Sequence, residues 1–156
     1  MMHAAQPLIR DATPDDHVFL VDCAAAMALE TEHKQLDAAR LARGVQTLLA
    51  QPARGFYLIA ERAGTRAGTL MVSYEWSDWR GGDFWWIQSV YVLPEARRGG
   101  VYRALHMATR TRAQSAGAVG LRLYVEQDNT RAQRSYAALG MRRTAYALFE
   151  QEFGTL

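Results

Sequence analysis

Hydrophobic and polar positions change rhythm about half-way along the chain. In the first half, Pro7 to Asp11 predicts a short strand. Thr13-Pro14-Asp15-Asp16 reads as a helix start: Thr13 can accept from an orphan N–H, Pro14 suits the first helical position, and the two acids favour the positive end of the helix dipole. That helix runs to about Leu29, and Asp37 caps a second through about Ala50. Phe56 to Glu61 and Gly68 to Tyr74 read as strands joined by the turn-rich RAGTRAG. Phe84 to Val92 is a third, aromatic strand, stopped by Pro94. Beyond it the period lengthens. Gly100 to about Ala116 carries Val101, Ala104, Leu105 and Ala108 along one helical stripe. Leu121 to Gln127 then alternates, with Leu121, Leu123 and Val125 inward and Arg122, Tyr124 and Glu126 outward. Strand 84–92, helix 100–116 and strand 121–127 form a βαβ unit, which calls for two parallel strands and a right-handed crossover. A short helix, Thr130 to Leu139, is capped by Asn129 and stopped by Gly140, and a last strand covers about Ala145 to Phe153. This order predicts one α/β domain with a mixed sheet, spanning residues 1–156 without repeat or linker.

Composition narrows the function. The chain is 49% hydrophobic and 22% charged, with a net charge of +2. That is an ordinary globular mix, and the small surplus gives no reason to expect nucleic acid. Its arginines are scattered among acids, yet all but Lys34 of the basic residues are Arg, which favours forked contacts to phosphate or carboxylate. The longest uncharged apolar run, Cys23 to Leu29, is far short of the ~20 residues that span a bilayer. MMHAAQPLIRD has no signal-peptide core, so a cytoplasmic, membrane-free protein is expected. One cysteine permits no internal disulfide, and His3, His17, His33 and His106 share no metal-ligand spacing, so no metal is expected.

The chemistry gathers at Pro94-Glu95-Ala96-Arg97-Arg98-Gly99-Gly100-Val101-Tyr102-Arg103, a turn feeding a helix N-terminus. First-turn N–H groups lack internal partners, glycines let a ligand approach the backbone, and arginines add positive charge; together these favour a phosphate or pyrophosphate. A plain turn with solvated arginines is the competing reading. There is no GxxxxGK[ST] and no GxGxxG, which excludes the P-loop and the dinucleotide fingerprint. About 30 residues on comes Asn129-Thr130-Arg131-Ala132-Gln133-Arg134-Ser135-Tyr136-Ala137-Ala138-Leu139-Gly140-Met141. VYVLPEARRGGVYRAL resembles motif A of the GNAT N-acetyltransferases, and NTRAQRSYAALGM resembles their motif B. Tyr102 departs from the pattern, standing where Gly or Ala is usual.

The resemblance implies a mixed, mostly antiparallel central sheet with a splayed parallel pair and helices on both faces. It implies acetyl-CoA as co-substrate. The backbone of Val90, Tyr91 and Val92 would receive the pantetheine arm, and Arg97, Arg98, Gly99, Gly100, Val101, Tyr102 and Arg103 the diphosphate. Asn129 would contact the arm or a water. Tyr136 would protonate the departing thiolate, since a phenol (pKa ~10) can hydrogen-bond to or protonate a thiolate (pKa ~8.5); packing beside Leu139 is the alternative for its ring.

The base for the amine stays open among Glu30, Glu32, Glu75 and Asp78. Gln88 sits where some relatives use an acid, but an amide takes no proton. Cys23 lies in an apolar helix and reads as packing rather than as an acyl carrier. The loop after the first helix, with Glu30 and Glu32, and the aromatic stretch YEWSDWRGGDFWW, with Glu75 and Asp78, are the expected acceptor walls, the second equally readable as a packed hairpin corner or a homodimer contact. The implied function is N-acetylation of a primary amine on a small molecule or peptide by direct attack. The alternative is a non-catalytic acyl-CoA-binding or sensing domain of the same fold.

Overall fold

The computed structural model describes residues 5–154; His3 of the metal argument lies outside them. The chain divides into two compact units, Met1–Leu123 and Tyr124–Leu156. The first holds β1 (Leu8–Asp11), α1 (His17–Glu32), α2 (Ala38–Ala50), β2 (Gly55–Arg62), β3 (Thr65–Ser77), β4 (Gly82–Val92), α3 (Val101–Ser115) and β5 (Gly120–Arg122). Short 3₁₀ turns, Pro14–Asp16 and Pro94–Ala96, lead into α1 and leave β4. The sheet order is β1-β2-β3-β4-β5, antiparallel throughout except for the parallel pair β4–β5.

Alternation in β2 decides which helix covers which face. Leu58 and Ala60 join Leu70, Val72, Trp85 and Ile87 in a core closed by Val101 and Leu105 of α3. Ile59, between them in sequence, points the other way onto Leu20 of α1 and Val45 of α2. The sheet is therefore clad by helix on both faces, each fully buried leucine contributing about 2 kcal/mol. Part of the aromatic stretch is core: Phe84 and Trp85 are buried, and Trp85 packs edge-on against Phe56 and Tyr74, at 5.3 and 5.5 Å between ring centroids.

The front of the sheet is fastened by charge. Asp16, wholly buried, accepts from Arg10 of β1 at 2.7 and 3.0 Å, from Arg66 of β3 at 2.7 Å and from the Thr13 N–H at 2.8 Å. Arg10 also donates to Glu61 of β2 at 2.7 Å. One carboxylate thereby ties the start of α1 to two strands. Its pKa is held well below the usual carboxylate range, chiefly by the Arg10 hydrogen bond.

Four expectations are corrected. α1 continues to Glu32, so Glu30 and Glu32 stand on a helix and not on a following loop. β3 reaches Ser77, which shortens the connection to β4 to a tight turn at Asp78–Gly81. The strand expected over 121–127 is only Gly120–Arg122, since pairing to β4 stops at Trp86 opposite Arg122. The last strand, about Ala145 to Phe153, does not form: no ladder pairs it among the described residues, and alternation without a ladder partner does not make a strand. The second unit contains α4 (Thr130–Ala138), capped by Asn129 as expected and followed by Gly140 in the left-handed region. Among the described residues no helix is long and apolar enough to cross a membrane.

Candidate active site

Strand β4 ends with Val92 opposite Gly68, turns through Pro94–Ala96 and enters α3 by the glycine loop. Arg98 and Gly100 both adopt positive φ, 63° and 78°. That left-handed step favours glycine, and nothing lies within 4 Å of a Cβ built at Gly100, so a side chain there would meet strain and no neighbour. Gly100 is the N-cap of α3 and offers no side-chain cap. The N–H groups of Val101, Tyr102 and Arg103 therefore open the helix without an intrahelical acceptor. Arg98 and Arg103 are exposed beside them. This is an arrangement for an anion. Tyr102 is half-buried, its ring 6.2 Å from that of His106 one turn on, so the phenol runs along the helix.

The second feature is the edge of β4. Its parallel partner β5 reaches only from Phe84 to Trp86. From Ile87 to Val92, β4 pairs with β3 alone among the described residues. This is the splay. Within it the β3–β4 register jumps: Met71 faces Ser89 while Val72 faces Ile87, leaving Gln88 as the extra residue of a bulge. A bulge re-aims backbone groups next to it, and an unpaired edge can receive an extended amide chain as a further strand. The Gln88 side chain donates to Ser73 Oγ at 2.7 Å. Simple alternation in the sequence gives no sign of that extra residue.

Three of the expected site residues meet in one cluster. Tyr91 donates from its hydroxyl to Glu30 Oε1 at 2.8 Å, and Arg97 donates to Glu30 Oε2 at 2.9 Å. Arg97 also donates to the Val92 carbonyl at 3.0 Å, with its guanidinium 5.6 Å from the centre of the Tyr91 ring. The Tyr91 and Arg97 hydrogen bonds, in that order, lower the Glu30 pKa; burial, then Glu30 itself, raises that of Tyr91. Arg97 thus braces the loop against α1. Glu75 is engaged elsewhere: it accepts from Trp86 Nε1 at 3.0 Å and from Arg122, whose guanidinium stacks 3.6 Å over Phe84. Trp86 and Tyr91 lie five residues apart on β4, roughly 16 Å of strand, so Glu75 and Glu30 are held at different points along it. Asp78 caps the β3–β4 turn through the Trp79 N–H at 2.8 Å, and Trp76 and Trp79 stand exposed beside it.

In the second unit, Asn129 spends its Oδ1 on the Ala132 N–H at 3.1 Å, leaving its NH₂ to donate. Tyr136 is half-buried on the last turn of α4. Cys23 is 2% exposed, and burial pushes its thiol pKa up to about 12, which makes it a poor nucleophile at neutral pH.

Comparison with known proteins agrees with this geometry. The family model for the acetyltransferase (GNAT) family matches residues 17–141, taking in the loop, both β4 features and α4. The chain belongs to the GNAT acetyltransferase family. A mycothiol acetyltransferase from Thermobispora bispora is 34% identical over 135 residues, which is 83% of this chain and 43% of that protein; the GNAT chain thus spans less than half of that curated relative. A crystal structure described as a possible acetyltransferase from Clostridium difficile 630 superposes with a TM-score of 0.89 at 37% identity, covering 96% of this chain and 99% of that one. At 17% identity, an aminoglycoside N-acetyltransferase, AAC(6')-Iy, solved in complex with CoA, shares the fold over 99% of both chains with a TM-score of 0.79.

Proposed function

We propose that this GNAT protein is an acetyl-CoA-dependent N-acetyltransferase whose acceptor is a primary amine of a small molecule or peptide. The observation that carries the proposal is the uncapped, glycine-led N-terminus of α3 set directly after a bulged strand that, among the described residues, pairs with β3 alone from Ile87 to Val92. These residues fit acetyl-CoA: one end offers donors for two phosphates, and the adjoining edge offers alternating N–H and C=O groups for an amide-bearing arm. Bound there, acetyl-CoA supplies an activated acetyl thioester. Val101, Tyr102 and Arg103 would hold the diphosphate through backbone N–H groups, with Arg98 and Arg103 adding charge and Gly100 leaving room. Val90, Tyr91 and Val92 would receive the arm, and the N–H of Val90 or Val92 would polarise the acetyl carbonyl. Asn129 would donate to the arm or to a water. Tyr136 would give its proton to the thiolate as it leaves.

A purely acyl-CoA-sensing domain has one observation in its favour. Gln88 occupies the bulge and cannot accept a proton, while Glu30 and Glu75 are both held by arginines. One experiment separates the readings: free thiol released from acetyl-CoA, followed against a panel of primary amines. Amine-dependent release, reduced about tenfold or more in Tyr136→Phe with CoA affinity kept within a few-fold, is the expected result. Binding of CoA without release for any amine supports the sensor, and a Tyr136→Phe rate equal to wild type removes Tyr136 from the acid role.

A further inference from the structure

Arg62 closes β2 and faces Thr65 across the two-residue turn Ala63-Gly64, whose φ values are 50° and 76°. The hairpin sits at the end of the sheet where β4 runs out, because Gly68, three residues past Thr65, pairs with Val92. Its arginine reaches the glycine loop. A Cβ built at Gly99 would lie 2.1 Å from Arg62 Nη1, 2.8 Å from Cζ and 3.2 Å from Nη2. The guanidinium is therefore packed against the Gly99 α-carbon, and only glycine leaves that space. Arg10, Arg66, Arg97, Arg112 and Arg122 each hold a carboxylate, but among the described residues no hydrogen bond or ion pair joins Arg62 to an acceptor. It is half-buried. A guanidinium keeps its charge and offers five donors in a fixed fork, so one packed against the loop that opens α3 lacks only an anion.

We propose that Arg62 is a phosphate-binding residue of the glycine loop, delivered from the β2–β3 hairpin to a diphosphate-bearing cofactor. The proposal rests on the cofactor reading above and adds to it a residue from outside motif A. A guanidinium merely filling the space beside Gly99 is the competing role, and it would not respond to salt.

The test is calorimetric titration of CoA into wild type, Arg62→Met and Gly99→Ala at low and high ionic strength, with thermal melts to confirm folding. Methionine keeps the unbranched stem and removes the charge. Gly99→Ala pushes aside the mobile end of Arg62 and little else. Arg62→Met should bind CoA about tenfold more weakly at low salt, with the gap narrowing at high salt. Gly99→Ala should weaken binding in the wild-type background and much less in Arg62→Met, since both changes act through one guanidinium. Wild-type affinity in Arg62→Met, or a loss identical at both salts, overturns the proposal while leaving the cofactor reading intact. A wild-type chain that does not bind CoA overturns the cofactor reading and this proposal with it.

Discussion

Replacing Asp16 by Asn keeps the shape of the side chain and removes its charge. In the native fold that carboxylate is wholly buried and accepts from two guanidiniums and one backbone N–H. The amide would set its own NH₂ against these donors, leave Arg66 without its carboxylate and leave Arg10 with Glu61 alone. Breaking a buried charge pair from one side costs about 3–5 kcal/mol. Because the Arg10 and Arg66 side chains are 30% and 40% exposed, water recovers part of this, and the lower end, about 3 kcal/mol, is expected. For a chain of this size that lowers Tm by about 6–12 °C. The pH dependence follows from linkage. The folded pKa lies below the unfolded one, so the unfolded chain takes up the proton first. The contribution is full above roughly pH 4 and is lost as pH falls from there toward the folded value. Melting followed by far-UV circular dichroism should thus show a wide gap between wild type and Asp16→Asn at neutral pH and a shrinking gap in acid. Equal Tm values at neutral pH, or a gap that ignores pH, would refute the reasoning.

Two further outcomes are expected. Glu30→Gln removes the anion that holds Arg97 and so frees that guanidinium for the loop; CoA should bind more tightly by less than about fivefold in calorimetry, and weaker binding would show that Arg97 serves better where it is. His106 is 1% exposed with its Nδ1 lacking a hydrogen-bond partner among the described residues, and burial, then Arg110, lowers its pKa. The unfolded chain binds that proton more readily, so stability is full above about pH 6.5 and falls as pH drops below it. His106→Leu should flatten this limb of the Tm-versus-pH curve, and an unchanged limb would assign it to another group.

What was legible in the sequence is what local chemistry dictates. The turn into α3, the Asn129 and Asp37 caps and the Gly140 stop each depend on residues within one or two turns of one another, and they lie where the pattern put them. The opposed faces of β2 follow from alternation alone. The misses are long-range. Leu121 to Val125 alternates well, yet strand length is set by what stands opposite, and the ladder to β4 ends at Arg122. Bulging at Gln88 needs β3 as its ruler. Glu30 meets Arg97 across 67 residues, and Arg62 meets Gly99 across a hairpin and a strand, so no window of sequence shows either. The motif resemblance located the loop and said nothing of these braces.

The chain's single sulfhydryl is walled inside α1 and reluctant to ionise. An aromatic disulfide reagent added to a turnover assay will therefore colour with CoA long before it colours with the protein itself. Left with the protein by itself, the same reagent becomes a clock: each slow labelling event counts an opening of the helix that seals that sulfur away.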